Sequence, residues 1–540
     1  MSDRGDDLDG TGGPGGPGGS GGSGGTEGPG TGDGTEGWRR LDKRAVLVTA
    51  LVMAGVACGV CVPVLLGLSG GPWSGDGPRR GAGVLLPLAV AVVLVLGGAV
   101  VEYVRWTRTR YRVGPERAEL HSGLLLVKRR SLARERIRSV DLTAHPLLRV
   151  LGLVKVRIGT GEHTGGDSTL ELHPVSRAEG ERLRRELLSR PAAPAADGHR
   201  DGELAALDPR WIRYAPVSFV APLLGGAAVG GVMQVSDWVG AQDEVIDWVG
   251  DRFRATPVVW AVLALGAVAL LAGVVGALGL WVEMWWNYRL EREPGGTLRV
   301  RRGLLTTRSI SLEERRLRGV ELVEPLGARL TGAARVDAVA TGIAEAGDER
   351  HADHKTLLPA VPRVLAHDVA AHVLRQAAAP TGAPLTAHPS AARTRRLRWG
   401  MGAALLPVLA LAVPGVALGG ELLAVAAGCA VVLLPLGALL ALDAYRGLGH
   451  AISGDYLVAR SGTARRATVA LHRGGVIGWT VRQSYFQRRA GLVTLTATTA
   501  AGAGAYHVHD ADRAEVLAFA EAAVPGLLEP FLERDAPRGE

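Results

Sequence analysis

Cysteine is almost absent from this chain of 540 residues. The three that occur, Cys58, Cys61 and Cys429, all fall inside apolar blocks, so no disulfide framework is available. Cys58-Gly-Val-Cys61 has the spacing of a redox dithiol. Hydrocarbon surroundings lack the solvated, electropositive setting that lowers a thiol pKa, so the pair reads as small apolar residues in a helix. Aromatic residues are only 5% of the chain, so its apolar share of 47% comes mainly from Ala, Val and Leu, gathered in blocks. Signatures of chemistry are also missing: no Gly-x-x-x-x-Gly-Lys-Ser/Thr loop and no recognisable Ser/His/acid set occurs. His351-Ala-Asp-His354 and the pair His507 and His509 have metal-like spacing without the further ligands a closed site requires, and read as solvent-exposed histidines. These absences argue against an enzyme and imply no catalytic residue, metal or cofactor.

What the chain does have is apolar length and arginine. Mean hydropathy is +0.16, net charge +8 and pI about 9.7. Beside long apolar blocks, that basic balance reflects arginines on a cytoplasmic membrane face rather than a nucleic-acid partner. Residues 1–37 are Gly, Pro, Ser, Thr and acid, and read as a disordered tail with no signal-peptide pattern. Apolar runs at 45–68 and 83–104 form a first hairpin, 45–104, each near the roughly 20 residues a bilayer requires. A second hairpin spans 212–284. Its outer connection, 236–254, reads as an interfacial helix with Trp238, Val245, Trp248, Val249 and Phe253 on one face. Gly226-Ala-Ala-Val-Gly230 within it is a small-xxx-small pattern that permits close helix approach. A third hairpin spans 399–442. Arginines bracket the outer ends of the pairs, which places the tail and the intervening polar blocks in the cytoplasm. Arg79 and Arg80 in the first connection oppose this and are outnumbered.

The polar blocks are 105–190, 287–378 and 446–532, with linkers at 191–211 and 379–398. Each reads as short strands ending in a helix, opened in the first block by the capping-box pattern Ser176-Arg-Ala-Glu179. The blocks are copies of one another. Gly123, Gly303 and Gly462 are each followed 29 positions later by Gly152, Gly332 and Gly491. Leu132, Leu312 and Leu471 sit nine after the first glycine, and Arg149, Arg329 and Arg488 three before the second. A fixed register kept three times settles architecture before any local feature does. The glycines and leucines read as turn and core positions; the arginine has no evident role. The chain is therefore an α+β membrane protein with six transmembrane helices in three hairpins, each followed by a cytoplasmic module.

The copies share more than spacing. Tyr111-Arg-Val, Gly123-Leu-Leu, Arg136-Ile-Arg-Ser-Val and Arg149-Val-Leu-Gly-Leu, with Gln483-Ser-Tyr-Phe-Gln-Arg-Arg-Ala-Gly-Leu in copy three, resemble the bacterial pleckstrin-homology-like (PH-like) domain of the YdbS/YdbT type. The resemblance covers residues 44–532 and implies two packed antiparallel sheets per module, closed by a C-terminal helix. It implies no defined molecular activity. Copy three departs most, with Gly462-Thr-Ala in place of Gly-Leu-Leu and Gly475 where the others have Arg136 and Arg316.

Lys128, Arg129, Arg130, Arg134, Arg136 and Arg138 are the leading candidates for contact with anionic phospholipid headgroups. Their module carries a net charge of +9, against +3 for each of the others. Each cation near an anionic leaflet is worth about 1 kcal/mol. The plain alternative is a solvated strand face. Glu102, Glu283 and Asp443 close the second helix of each pair, and read as interfacial caps or partners of Arg105, Arg289 and Arg446. The expected function is a non-enzymatic lipid-surface or protein-binding and assembly platform in a bacterial cell membrane. Its partners would be membrane lipids and a protein partner or second copy in a homo-oligomer. The alternative is a component of a transport, export or compound-resistance complex, weakened because no span carries a central charge.

Overall fold

The computed structural model describes residues 37–70, 79–123, 128–137, 139–159, 169–188, 202–216, 220–254, 256–342, 355–418 and 420–531. The elements below all lie in the unit from Arg39 onward. The first repeat begins with β1 (Arg39–Arg40), then α1 (Ala45–Gly70) and α2 (Arg79–Arg108). Its first sheet continues with β2 (Arg110–Val113), β3 (Arg117–Ser122) and β4 (Lys128–Ala133). A second group follows: β5 (Ser139–Ala144), the short α3 (Pro146–Val150), β6 (Leu153–Gly159), β7 (Thr169–Ser176) and the closing α4 (Arg177–Leu188). β6 alternates inward and outward side chains, as a half-buried strand must. Val156, Ile158, Leu170 and Leu183 thereby share one core with Tyr111, Leu120 and Leu132 from the first sheet. At the start of α4 the Ser176 hydroxyl accepts from the Glu179 N–H at 3.3 Å. The Glu179 carboxylate turns instead to Arg39 (2.9 Å) and Tyr111 (3.0 Å), tying the helix to the opposite sheet.

The second repeat comprises β8 (Gly202–Ala206), α5 (Val220–Val239), α6 (Gln242–Phe253), α7 (Val258–Trp285), β9 (Arg289–Glu293), β10 (Thr297–Arg302) and β11 (Thr307–Glu313). Its second half is β12 (Leu317–Pro325), the short α8 (Leu326–Leu330), β13 (Ala333–Ala340), β14 (Thr356–Pro362) and α9 (Arg363–Val373). The third comprises α10 (Ser390–Leu418), α11 (Gly420–Arg446), β15 (Gly449–Ser453), β16 (Tyr456–Ser461), β17 (Arg465–His472), β18 (Val476–Arg482), the short α12 (Tyr485–Arg489), β19 (Leu492–Thr499), β20 (Ala505–Asp512) and α13 (Arg513–Ala523). Within each module the first strands face the second group across one apolar core.

Sheets run across module boundaries. The order β7-β6-β5-β11-β10-β9-β8 joins the back of module one to the front of module two, and β14-β13-β12-β17-β16-β15 joins module two to module three. The stretch read as a linker at 191–211 contributes β8, an edge strand on β9. In the linker at 379–398, Thr386 bridges His450, and α10 already begins at Ser390. α1 packs on α2, α5 on α7 and α10 on α11. Among the described residues four helical stretches are long and apolar enough to cross a membrane: 87–108, 260–285, 390–417 and 420–446. Ser236–Val239 continues α5, so the amphipathic segment forms a separate helix only from Gln242.

The small-xxx-small expectation is corrected by one residue. Gly226 and Gly230 meet nothing within 4 Å. The close approach is made by Gly225 and Gly273: a Cβ on Gly273 would stand 1.9 Å from the Ala221 carbonyl oxygen, and one on Gly225 2.2 Å from that of Ala269. The helices thus meet through Ala221 and Gly225 against Ala269 and Gly273, both at i,i+4 spacing. In the repeat itself, Gly303 and Gly462 hold φ of 114° and 102°, and a Cβ on either would strike a carbonyl oxygen three residues on. Leu132, Leu312 and Leu471 are all buried.

Candidate functional site

The two places where modules join have one geometry. At the first seam β11 pairs with β5, with Leu312 opposite Ser139 and Ser309 opposite Leu142. At the second, β17 pairs with β12, with Leu471 opposite Gly319 and Thr468 opposite Leu322. Leu312 and Leu471 are equivalent repeat positions, as are Ser139 and Gly319, so both seams keep one register. This also assigns the recurrent arginine. Arg149 donates to the carbonyl of Leu304, and Arg329 to that of Thr463 at 3.4 Å. Each acceptor directly follows the first glycine of the next module. Arg329 also pairs with Asp443 at 2.7 Å, at the end of α11. The arginine is an inter-module clasp.

Behind the first seam a ring of alternating charge links α4 to the next module's sheet. Arg184 holds Glu293 through both terminal nitrogens (2.8 and 2.9 Å) and Glu181 at 3.2 Å. Arg299 closes the ring on Glu181 (2.6 Å) and Glu293 (3.0 Å). Both arginines are almost wholly buried. Burial raises the Glu293 pKa, but the bond and charge of Arg184 outweigh it and hold the carboxyl below its usual range. A buried charge is tolerable only when paired in this way.

Beside the ring the seam opens into a cavity of about 380 Å³. Seven arginines line it, against a single acid, Glu181. Arg299 is committed to the ring and Arg149 to the clasp. Arg302 lies 4.4 Å over the ring of Trp285, the last residue of α7. Arg177, Arg289 and Arg301 carry exposed side chains around the mouth, with Arg308 half-buried beside them. Guanidinium groups gathered around a partly enclosed volume suit a phosphate group, which accepts paired N–H bonds.

None of the six cations expected to meet lipid lines this cavity among the described residues. Lys128, Arg129 and Arg130 stand on β4, Arg134 and Arg136 occupy one 3₁₀ turn, and Arg138 lies outside the described residues. Arg130 donates to the Thr169 carbonyl at 3.0 Å and Arg134 to that of Glu186, so these two tie the first sheet to the second half of the module. Lys128, Arg129 and Arg136 are exposed. Of the carboxylates, Glu102 does pair with Arg105, at 3.0 Å. Glu283 accepts instead from the N–H groups of Leu305 and Thr306, both at 2.9 Å, and Asp443 binds Arg329 and Arg466. His351 and His354 lie outside the described residues; His507 bonds Thr496 at 2.9 Å.

Two features escaped sequence reasoning. The arginine cavity gathers residues from two modules, and its local signal was the run Arg299-Val-Arg-Arg. The second is Asp510, fully buried at the end of module three, which receives Arg395 (2.6 Å) and Arg396 (3.0 Å) from the start of α10 and Gln487 (2.9 Å). It locks a long helix to its module.

Comparison with known proteins follows the same modular division. A family model described as bacterial PH domain matches residues 47–191, 244–377 and 404–522. Among curated proteins, the transmembrane protein YdbT of Bacillus subtilis (strain 168) is 23% identical over 416 residues, which is 73% of this chain and 80% of that protein. No solved structure matches.

Proposed function

Because this chain belongs to the bacterial PH domain family and carries three such domains among apolar helices, we propose that it is a non-enzymatic platform at a membrane surface, with the seam between modules one and two holding an anionic phospholipid headgroup. The observation that carries the reading is the arginine-lined cavity, whose wall includes Asn287 and Arg289, within four residues of the apolar α7. Six spans in three hairpins suit the strand pairing at the base of each helix pair. β1 binds β2 and β8 binds β9, while Thr386 bridges His450, so the chain enters and leaves each pair at one place. Arginines gathered there set that side in the cytoplasm. The seam then stands at headgroup depth, where Arg302 stacked on Trp285 suits an interfacial belt. Lys128, Arg129 and Arg136 add delocalised attraction to the same leaflet.

Lipid retention tests this. The full chain, placed in nanodiscs of phosphatidylglycerol and phosphatidylcholine and then released for native mass spectrometry, is expected to keep phosphatidylglycerol selectively. Arg177→Glu with Arg301→Glu, both exposed and outside the buried ring, should abolish that selectivity. Equal retention of both lipids by the wild type, or unchanged selectivity in the double variant, would remove the headgroup reading.

A further inference from the structure

Among the described residues two sheets stop, in the first and third modules, where the internal ones continue. β4 ends the first sheet and β18 ends the last. Their repeat equivalents, β11 and β17 on one side and β5 and β12 on the other, are joined across the seams. The difference shows in exposure: Val481 on β18 is 43% exposed, whereas Leu142 and Leu322 at the same repeat position are 5% and 2%. Ile477 beside it, and Tyr485 and Phe486 on α12, are exposed apolar neighbours. The backbone shows it too. A Cβ on Gly319 would lie 2.0 Å from the Ala470 carbonyl oxygen across the second seam, while one on the equivalent Gly478 meets nothing within 4 Å. Arg488, the third clasp arginine, is exposed and its side chain has no hydrogen-bond or ion-pair partner among the described residues.

We propose that the β18 edge of one copy docks the β4 edge of a second copy of this chain, head to tail, in the register of the two internal seams. Arg488 then donates to a backbone carbonyl of the docked module, as Arg149 and Arg329 do within the chain. That register sets Leu132 opposite Gly478, Arg129 opposite Val481 and Lys128 opposite Arg482. A second copy is the occupant because it carries the matching half of an interface this chain already builds twice. A strand edge unpaired among the described residues is a template for such pairing, and β18 is apolar but for one charge, Arg482 at its end. Lys128 facing Arg482 makes this seam weaker than the internal ones and stronger as salt screens the pair. A head-to-tail contact of this kind does not close on a dimer unless a ring forms, so longer oligomers follow. The contact uses none of the residues lining the arginine cavity and stands or falls independently of headgroup binding there.

Cross-linking in liposomes tests the register. The full chain, with Cys58, Cys61 and Cys429 replaced by Ala, carries Arg129→Cys and Val481→Cys. Oxidation is expected to give a ladder of disulfide-linked dimers and higher oligomers. The off-register pair Arg129→Cys with Ile477→Cys should give none. Adding Gly478→Val, which fills the space across β18, should abolish the ladder. Arg488→Glu, on an exposed side chain away from the strand, should do the same and guards against misfolding of the first variant. Monomers only from the in-register pair, equal ladders from both pairs, or a ladder that survives both variants would each overturn the proposal.

Discussion

Replacing the clasp arginines one at a time separates a seam contact from a decorative surface charge. Arg329→Met keeps the aliphatic stem but removes the bonds to Asp443 at 2.7 Å and to the Thr463 carbonyl at 3.4 Å. The Arg329 side chain is 11% exposed and that of Asp443 30%, so the pair is partly screened. Asp443 also retains Arg466 at 3.0 Å, which spares the protein the roughly 3–5 kcal/mol of an orphaned buried charge. What is lost is one strong charge-assisted bond and one weak one, about 2 kcal/mol. That energy should appear as easier local opening of the second seam rather than as global unfolding. At 1.4 kcal/mol per tenfold, amide exchange along β17 should quicken roughly 30-fold. Hydrogen exchange read by mass spectrometry on the chain in detergent checks this, with β19 as the internal reference expected not to change. Arg149→Met, which removes only a bond to a neutral carbonyl, should cost about 1 kcal/mol at the first seam. Arg488→Met should leave exchange in dilute monomer unaltered. Unchanged protection of β17 in Arg329→Met, or an equal loss in Arg488→Met, would refute the clasp.

The helix contact gives a second contrast: Gly273→Leu should lower the thermal midpoint in detergent by loosening α5 from α7, with an overpacking cost of about 1–3 kcal/mol, while Gly226→Leu should leave it in place. Equal midpoints for the two variants would contradict the packing. A third prediction concerns pH. Burial pushes the Asp141 carboxyl up to about 7 from 3.8, against the pull of Arg157 and the backbone of Ser311 across the first seam. Because the folded pKa is raised, its stabilising share is full below about pH 4 and is lost as pH rises through 7. Exchange along β11 should therefore be slower at pH 5.5 than at pH 8, after correction for intrinsic rates, and Asp141→Asn should flatten the difference.

Much of this architecture was legible because it rests on local patterns. Apolar blocks and period-two strands are written in consecutive residues, and a glycine that must adopt positive φ marks its turn wherever it falls. What stayed hidden depends on neighbours the sequence does not place side by side. Gly225 and Gly226 are adjacent, yet they point to different sides of α5, and only the packed partner decides which one the contact uses. The clasp arginines donate to main-chain carbonyls, which carry no residue signature. The cavity draws Arg177 from one module and Arg301 from the next, 124 positions apart in the chain. The seven-strand sheet escaped for the same reason, since edge-to-edge pairing of modules follows from how they are strung and not from any strand's own pattern.

The fixed spacing of the repeat gains a physical meaning from the seams. The first glycine makes the turn whose next carbonyl receives the previous module's arginine; the second ends the short helix that carries the arginine onward. Twenty-five residues therefore separate the acceptors Leu304 and Thr463 from the donors Arg329 and Arg488 of the same modules. A chain of three such units satisfies two joints and leaves a donor at its end. Module three has let go of other shared features, with Gly475 in the place of Arg316 and Thr463 in that of Leu304, yet it keeps Arg488 on an exposed helix where nothing among the described residues receives it. An arginine there gains nothing from burial and makes no side-chain bond among the described residues. Its placement makes sense as the donor of a joint completed from outside.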